Sequence, residues 1–456
     1  MRILFLSSEI EPFAKTGGLA DVAGSLPIAL ERKGVEVHLA MPKYPLVNSQ
    51  KEGKIGKSIR VRFIENQGFF NRPGLYGEKG KDYPDNLERF SFFCRRALDL
   101  FKEENLKPDL IHCNDWQTAL VPVYLKSIFR NDLFFRGVKA VFTIHNLGYQ
   151  GLFPAEELRK SGLDDSYFHM EALEFYGKVN LLKGGLVFSD LLTTVSPTYS
   201  REIQTSEFGH GLEGVLSKRK NDLYGIINGI DQDLWDPAKD RDIPKRFTPQ
   251  TIEGKSENKK VLQALSGLEI RKDSPLIGIV SRLADQKGFD ILMPVVELIL
   301  KEGFQIVILG TGDKQYEDLL QKMSLKFPKN LSVRLSFDPV LARQIYAGSD
   351  LFLMPSRYEP CGLGQMISLR YGTIPIVRQT GGLADTVQDI NSGGGNGFVF
   401  SEYRSDALLA ALKRAHRLFE NKTHWKELVR RAMKSDFSWD RSAEKYLDLY
   451  HKVLGR

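Results

Sequence analysis

Residues 2–32 read RILFLSSEIEPFAKTGGLADVAGSLPIALER. The run Ile3-Leu4-Phe5-Leu6 is apolar without alternation, the pattern of a strand buried on both faces. It stops at Ser7-Ser8-Glu9. A short loop follows, and Lys15-Thr16-Gly17-Gly18 leads into helical periodicity over 21–32. A buried strand, a polar break, a glycine turn and a helix make the first step of a doubly wound α/β sheet.

The alternation continues along the chain. Short apolar runs bounded by Gly, Pro or polar residues recur at 35–41, 110–113, 140–144, 191–195, 275–280, 305–309, 351–354 and 374–377. Helical patterns at 118–129 and 289–301 lie between some of them. This predicts parallel sheets flanked by helices. The runs end on polar or flexible residues: Asn114-Asp115, His145-Asn146, Ser281-Arg282, Ser356-Arg357 and Thr380-Gly381. Open parallel sheets bind ligands beyond the carboxyl ends of their strands. Two sets of such ends predict two Rossmann-like domains whose faces close on a ligand across a cleft.

Composition agrees. At 456 residues the chain exceeds one ordinary domain. Hydrophobic residues are 42% and charged ones 27%, the balance of a soluble protein with ample core. The net charge of +7 is mild over this length. It leaves room for a basic cleft but supplies no arm for nucleic acid or membrane. Cys94, Cys113 and Cys361 are far apart and form no C-x-x-C, which argues against a disulfide scaffold or zinc ribbon and for a reducing cytoplasm. The opening apolar run is too short for a signal peptide, and no run reaches the roughly 18 residues of a membrane span. A charged, proline-bearing stretch begins at Asp236. It places the boundary near 240–255, giving domains 1–245 and 246–437 and a C-terminal helix within 438–456 patterned on Ala443, Tyr446 and Tyr450.

Thr16-Gly17-Gly18-Leu19-Ala20-Asp21 recurs letter for letter as Thr380-Gly381-Gly382-Leu383-Ala384-Asp385. Each copy follows an expected strand and opens a helix. The plain reading is a glycine turn in each half. The functional one is a helix N-terminus offering N–H groups to an anion, favoured for the first copy because Lys15 adjoins it. In the second half, Arg282 and Lys287 project from one strand–loop–helix corner and can neutralise a diphosphate leaving group. Glu359 is pinned between a strand end and a glycine-containing helix start, placed to accept bonds from a polyol. Cys361 beside it reads as a small buried residue with no His partner. His145-Asn146 needs a reason to stand at a parallel strand's edge. Trp116 reads as packing. Two Asp-x-Asp patterns, at 231–233 and 240–242, lack neighbouring ligands and read as turn and surface residues. No metal and no cofactor are expected, and neither a P-loop nor a dinucleotide fingerprint is present.

Taken in order, Lys15 to Val22, Asp85-Asn86 before Arg89-Phe90, Thr143 to Asn146, Asn228 to Asp231 with Trp235-Asp236-Pro237, Ser281-Arg282-Leu283 with Gln286-Lys287-Gly288, Glu359 to Leu363 and Thr380 to Val387 resemble the bacterial and plant glycogen/starch synthases. These are retaining glycosyltransferases of the GT-B type that use ADP-glucose. The resemblance implies glucosyl transfer to the non-reducing end of glycogen or another α-1,4-glucan. It implies a catalytic set of His145, Glu359, Arg282, Lys287 and Asp21. Substrate contacts would come from Lys15, Gly17, Gly18, Tyr76, Asn86, Asn146, Cys361, Gly362, Leu363, Thr380 and Gly381. It also implies that the C-terminal helix crosses back onto the first domain. Three positions depart from the family's common pattern: Gly364 replaces a Thr, Asn114 replaces a His before Asp-Trp, and Phe337 stands about where a Tyr lies near adenine. Two rivals are a same-fold enzyme using UDP-glucose and an inactive glucan-binding scaffold.

Overall fold

The computed structural model describes residues 1–47, 52–78 and 80–456. The chain divides into two compact units, Met1–Gly229 joined by Trp439–Arg456, and Ile230–Ser438.

The first unit is built on eight strands: β1 (Arg2–Leu6), β2 (Glu36–Pro42), β3 (Glu52–Ile55), β4 (Ile59–Ile64), β5 (Leu110–Asn114), β6 (Lys139–Ile144), β7 (Leu191–Thr194) and β8 (Leu223–Gly225). Their order is β8-β7-β6-β5-β1-β2-β4-β3, and every pairing is parallel except the edge hairpin β3–β4. β1 lies between β5 and β2, so both of its edges are paired, and the full burial of Ile3 to Leu6, whose side chains alternate between the faces, shows that both faces are covered as well. That position accounts for the absence of alternation. The chain leaves β1 toward β2 and returns on the other side to β5. Their carboxyl ends therefore flank a topological switch point.

A small antiparallel sheet of Leu152–Pro154, Glu174–Phe175 and Lys178–Asn180 follows β6. The last helix, Trp439–Leu454, packs on helix Gly18–Arg32. Arg32 and Lys33 pair with Asp440 and Glu444 at 2.9 and 2.8 Å. Beneath them the Tyr450 hydroxyl meets His112 Nδ1 at 2.6 Å inside the sheet.

The second unit has six strands: β9 (Leu276–Val280), β10 (Gln305–Leu309), β11 (Leu331–Arg334), β12 (Leu351–Met354), β13 (Ile374–Arg378) and β14 (Phe398–Phe400). All are parallel, ordered β11-β10-β9-β12-β13-β14, the dinucleotide-fold order with its switch point between β9 and β12. Leu262, Leu276, Val307, Leu309 and Ile345 form a core on one face.

The division at 229/230 precedes the proline-bearing stretch whose composition suggested 240–255. That stretch wraps onto the second unit. The Asp240 carboxylate accepts from Arg343 at 3.0 Å and from the Tyr371 hydroxyl, and Arg343 lies over Trp235 at 4.4 Å. Asp240 is thus buried and paired, not a surface residue. Asp231, by contrast, caps a turn through Asp233 N and Leu234 N.

Candidate active site

In the first unit the loop after β1 is organised by Glu9, a residue that composition and motif gave no reason to single out. Its buried carboxylate accepts from Thr16 N, Thr16 Oγ1 (3.0 Å), Gly17 N (3.3 Å) and the Tyr76 hydroxyl (3.0 Å). Burial raises its pKa, against these bonds, which lower it. The amides of Thr16 and Gly17 are therefore spent on the protein's own carboxylate, and the helix start does not present them to an anion. The space beyond Gly17 is open: a Cβ there would meet nothing within 4 Å. The second copy of the motif works differently. Cβ atoms at Gly381 and Gly382 would fall 2.0 and 2.1 Å from the carbonyls of Glu359 and Cys361. Its glycines let two loops of the second unit pack backbone on backbone.

Lys15 projects from the first loop and pairs with Asp21 at 2.6 Å and Glu11 at 3.6 Å. Burial works to lower the Lys15 pKa, but these two carboxylates outweigh it and the net shift is upward. Asn86 supports the loop from behind. It is buried, donates to the Tyr76 carbonyl at 2.9 Å and accepts from the fully buried Arg89 at 2.6 Å.

At the ends of β5 and β6 the geometry fixes a tautomer. Asn114 Nδ2 donates to the Leu6 carbonyl at 2.9 Å, so its Oδ1 must be the atom 2.9 Å from His145 Nε2. An amide oxygen only accepts, so Nε2 carries the proton and Nδ1 keeps its lone pair. Burial drives the His145 pKa down to about 3, so the ring is neutral at working pH. Asp115 Oδ1 accepts from His145 N at 2.7 Å and anchors the backbone of β6's end. Burial raises the Asp115 pKa to about 7, and its backbone is held at φ +58. Asn146 Oδ1 caps the following turn through Gly148 N at 3.0 Å. Trp116 packs against Phe90, with ring centroids 4.9 Å apart.

In the second unit the loops after β9 and β12 meet. Lys287 Nζ lies 2.6 Å from Glu359 Oε2, which also accepts from Ser356 Oγ at 3.1 Å. Arg282 is exposed beside them and bonds Gln286 at 3.2 Å. Gln365 Nε2 donates to the carbonyls of Cys361 and Gly362, both at 3.0 Å, and to Thr386 Oγ1 at 3.1 Å. It fixes the turn that carries Cys361, Gly362 and Leu363. Gly382 N bonds back to Glu359 O at 3.1 Å, tying the Thr380-Gly381 loop to it.

The candidate residues thus form two constellations. Lys15, Gly17, Gly18, Asp21, Tyr76, Asn86, His145 and Asn146 belong to the first unit. Arg282, Lys287, Glu359, Cys361, Gly362, Leu363, Thr380 and Gly381 belong to the second. Each lies at the carboxyl edge of its unit's sheet or on a segment bonded to that edge. Among the described residues, no group of three or more His, Cys, Asp or Glu side chains is placed to hold a metal ion. No helix among them is long and apolar enough to cross a membrane.

Comparison with known proteins gives concordant results. Residues 2–218 match the family model described as starch synthase catalytic domain, and 264–432 match that of glycosyl transferases group 1. The chain is 51% identical to a glycogen synthase of Geotalea daltonii and 48% identical to one of Thermotoga maritima, in each case over all of this chain and 99% of the other. It is similar to the solved catalytic domain of starch synthase IV from Arabidopsis thaliana bound to ADP and acarbose. The identity there is 36% and the TM-score 0.92, with both chains fully covered. A sucrose-phosphate synthase of Thermosynechococcus elongatus, at 18% identity and TM-score 0.67, shares the fold.

Proposed function

The chain belongs to the glycogen synthase family, a hexosyltransferase of GT-B fold, and from that premise we propose how its residues divide the work. Glucose passes from ADP-glucose to the 4-hydroxyl at the non-reducing end of an α-1,4-glucan, with retention, and ADP leaves. The observation that carries this reading is the Lys287–Glu359 pair beside Arg282, at the switch point of the second unit's sheet. An incoming diphosphate takes over the Lys287 ammonium and draws in Arg282. Glu359, released from Lys287, turns its oxygens to the sugar hydroxyls. Two fixed cations then stabilise the departing charge in the transition state.

His145, neutral and with Nδ1 as its remaining acceptor, receives a hydroxyl of the transferred glucosyl unit. Lys15 and the open face of Gly17 and Gly18 adjoin the donor. The nearby carboxylates are committed: Glu9 to Thr16, Gly17 and Tyr76, Asp115 to the backbone of His145, Asp21 to Lys15. That favours front-face displacement, in which the glycosidic C–O bond to phosphate breaks as the acceptor oxygen attacks and the departing phosphate takes its proton.

The test is release of ADP from ADP-glucose and of UDP from UDP-glucose, compared as kcat/KM with glycogen as acceptor. ADP-glucose is expected to be preferred. A preference for UDP-glucose overturns the donor assignment, and no release from either leaves only a glucan-binding scaffold. Lys287→Ala is expected to lower kcat/KM by about 10²- to 10³-fold with the fold intact. Near-normal turnover would remove it from the diphosphate site.

A further inference from the structure

We propose that Tyr176 is a stacking platform for the acceptor glucan, a subsite of the first unit lying along the segment that leaves β6 at His145. The inference rests on the glucosyl-transfer reading above and adds a binding residue to it.

Tyr176 and Gly177 form the two-residue turn between Glu174–Phe175 and Lys178–Asn180. Both are left-handed, with φ of +49 and +77. Turns of this kind favour Asn-Gly or Gly-Gly, because a bulky side chain is strained there. Burial does not compensate, since Tyr176 is 82% exposed. Its ring is nonetheless held in place. It meets Phe175 edge to face at 4.7 Å, and a Cβ on Gly211 would lie 3.4 Å from it. Below, the buried Lys183 ammonium donates to the Met170 carbonyl at 2.6 Å and to that of Glu174, and Gly177 N donates to Glu174 Oε1 at 2.9 Å. The contact with Phe175 orients the ring yet leaves most of it in solvent on a strained backbone, and such strain gathers where ligands bind.

The location identifies the ligand class. The hairpin pairs through Lys178–Asn180 with Leu152–Pro154, just downstream of His145. Gln150 Nε2 donates at 3.1 Å to the His210 carbonyl, next to the Gly211 on which Tyr176 rests. Tyr149, 52% exposed, lies in the intervening turn, its N–H on the Asn146 carbonyl at 3.2 Å. Exposed aromatic faces in this corner suit a neutral, amphipathic polymer. A pyranose lays its apolar C–H face on the ring and keeps its hydroxyl rim in water.

Tyr176→Gly separates this role from a structural one, because glycine adopts the turn without strain. In the full chain its thermal midpoint is expected to stay equal or rise. The calorimetric Kd for maltoheptaose and the KM for glycogen rise about tenfold, while kcat at saturating glycogen and the KM for ADP-glucose stay within about twofold. Tyr176→Phe keeps the ring and is expected to keep the affinity. The proposal is overturned if Tyr176→Gly binds maltoheptaose as tightly as the parent. It is also overturned if donor and glucan affinities fall together with the midpoint, or if the parent is a dimer that the variant dissociates without change in glucan Kd. If the parent transfers no glucose yet binds maltoheptaose through Tyr176, the platform stands and the transfer reading falls.

Discussion

Asn114 has one amide with which to satisfy two fixed neighbours, and only one orientation does so. The Leu6 carbonyl demands the NH₂, so His145 receives the oxygen. Asn114→Leu removes that acceptor while filling similar space, and the imidazole is then free to rotate or to move its proton to Nδ1. The expected result is a fall in kcat of about ten- to a hundredfold with the donor KM little changed. An unaltered kcat in steady-state assays would show that the tautomer does not matter. Gly364 poses the opposite case. Restoring the family's common Thr there looks conservative on sequence, yet a Cβ would lie 2.9 Å from the Phe352 ring. Gly364→Thr is therefore expected to destabilise the second unit by about 1–3 kcal/mol and to leave donor affinity no better, checked by denaturant unfolding and KM. These two positions mark how far the sequence could be read. Lys15, His145, Arg282, Lys287 and Glu359 were legible because each follows an apolar run that ends a parallel strand. Glu9 was not, since its value lies in reaching amides seven and eight residues on. Nor was the role of Asn114, which depends on a carbonyl in another strand.

At the scale of elements the same distinction holds. Strands β1, β2, β5, β6, β7, β9, β10, β12 and β13 are apolar runs, and they were readable because both faces are covered. β4 (Ile59–Ile64) and β11 (Leu331–Arg334) interleave charged or polar residues with apolar ones and have no such run. The C-terminal helix was visible in its periodicity, but not the polar bond it makes. His112 sits fully buried on β5 between the Tyr450 hydroxyl and Thr143 Oγ1, both at 2.6 Å. Burial pushes its pKa down to about 3, with the neighbouring His145 adding to the shift. The folded state thus holds His112 neutral, whereas the unfolded chain protonates it near its ordinary value of about 6.5. The group's contribution is complete above about pH 6.5 and is lost as pH falls toward 3, at up to about 1.4 kcal/mol per pH unit. Unfolding free energies measured from pH 7 to 4 should show this slope, and His112→Asn should flatten it by about one proton. An identical slope in the variant would assign the acid sensitivity elsewhere. Tyr450→Phe leaves one His112 nitrogen unsatisfied and is expected to cost about 1–3 kcal/mol at neutral pH.

For the molecule as a whole, the order of the chain is not the order of its folding units. Residues 439–456 come last in sequence yet complete the first unit, while the second is a continuous insertion from Ile230 to Ser438. Each unit has its own parallel sheet and buried core. Deleting residues 439–456 uncovers the inner face of helix Gly18–Arg32, removes the buried Trp439, Ala443, Tyr446 and Tyr450, and strips His112 of its hydroxyl partner. None of those losses falls within the second unit, to whose Arg282 and Lys287 the proposed function assigns the ADP diphosphate. Scanning calorimetry of the truncated chain should therefore show a transition lowered for the first unit and one retained for the second. The retained transition should still move upward with ADP, by about 2.7 kcal/mol of stabilisation at a hundred times Kd. In the full chain, Lys287→Ala should abolish that ADP response without lowering the first unit's transition. If truncation instead erased the ADP response while leaving the first unit's melting unchanged, the C-terminal helix would belong energetically to the nucleotide-binding unit, and the assignment of the diphosphate to Arg282 and Lys287 alone would fail with it.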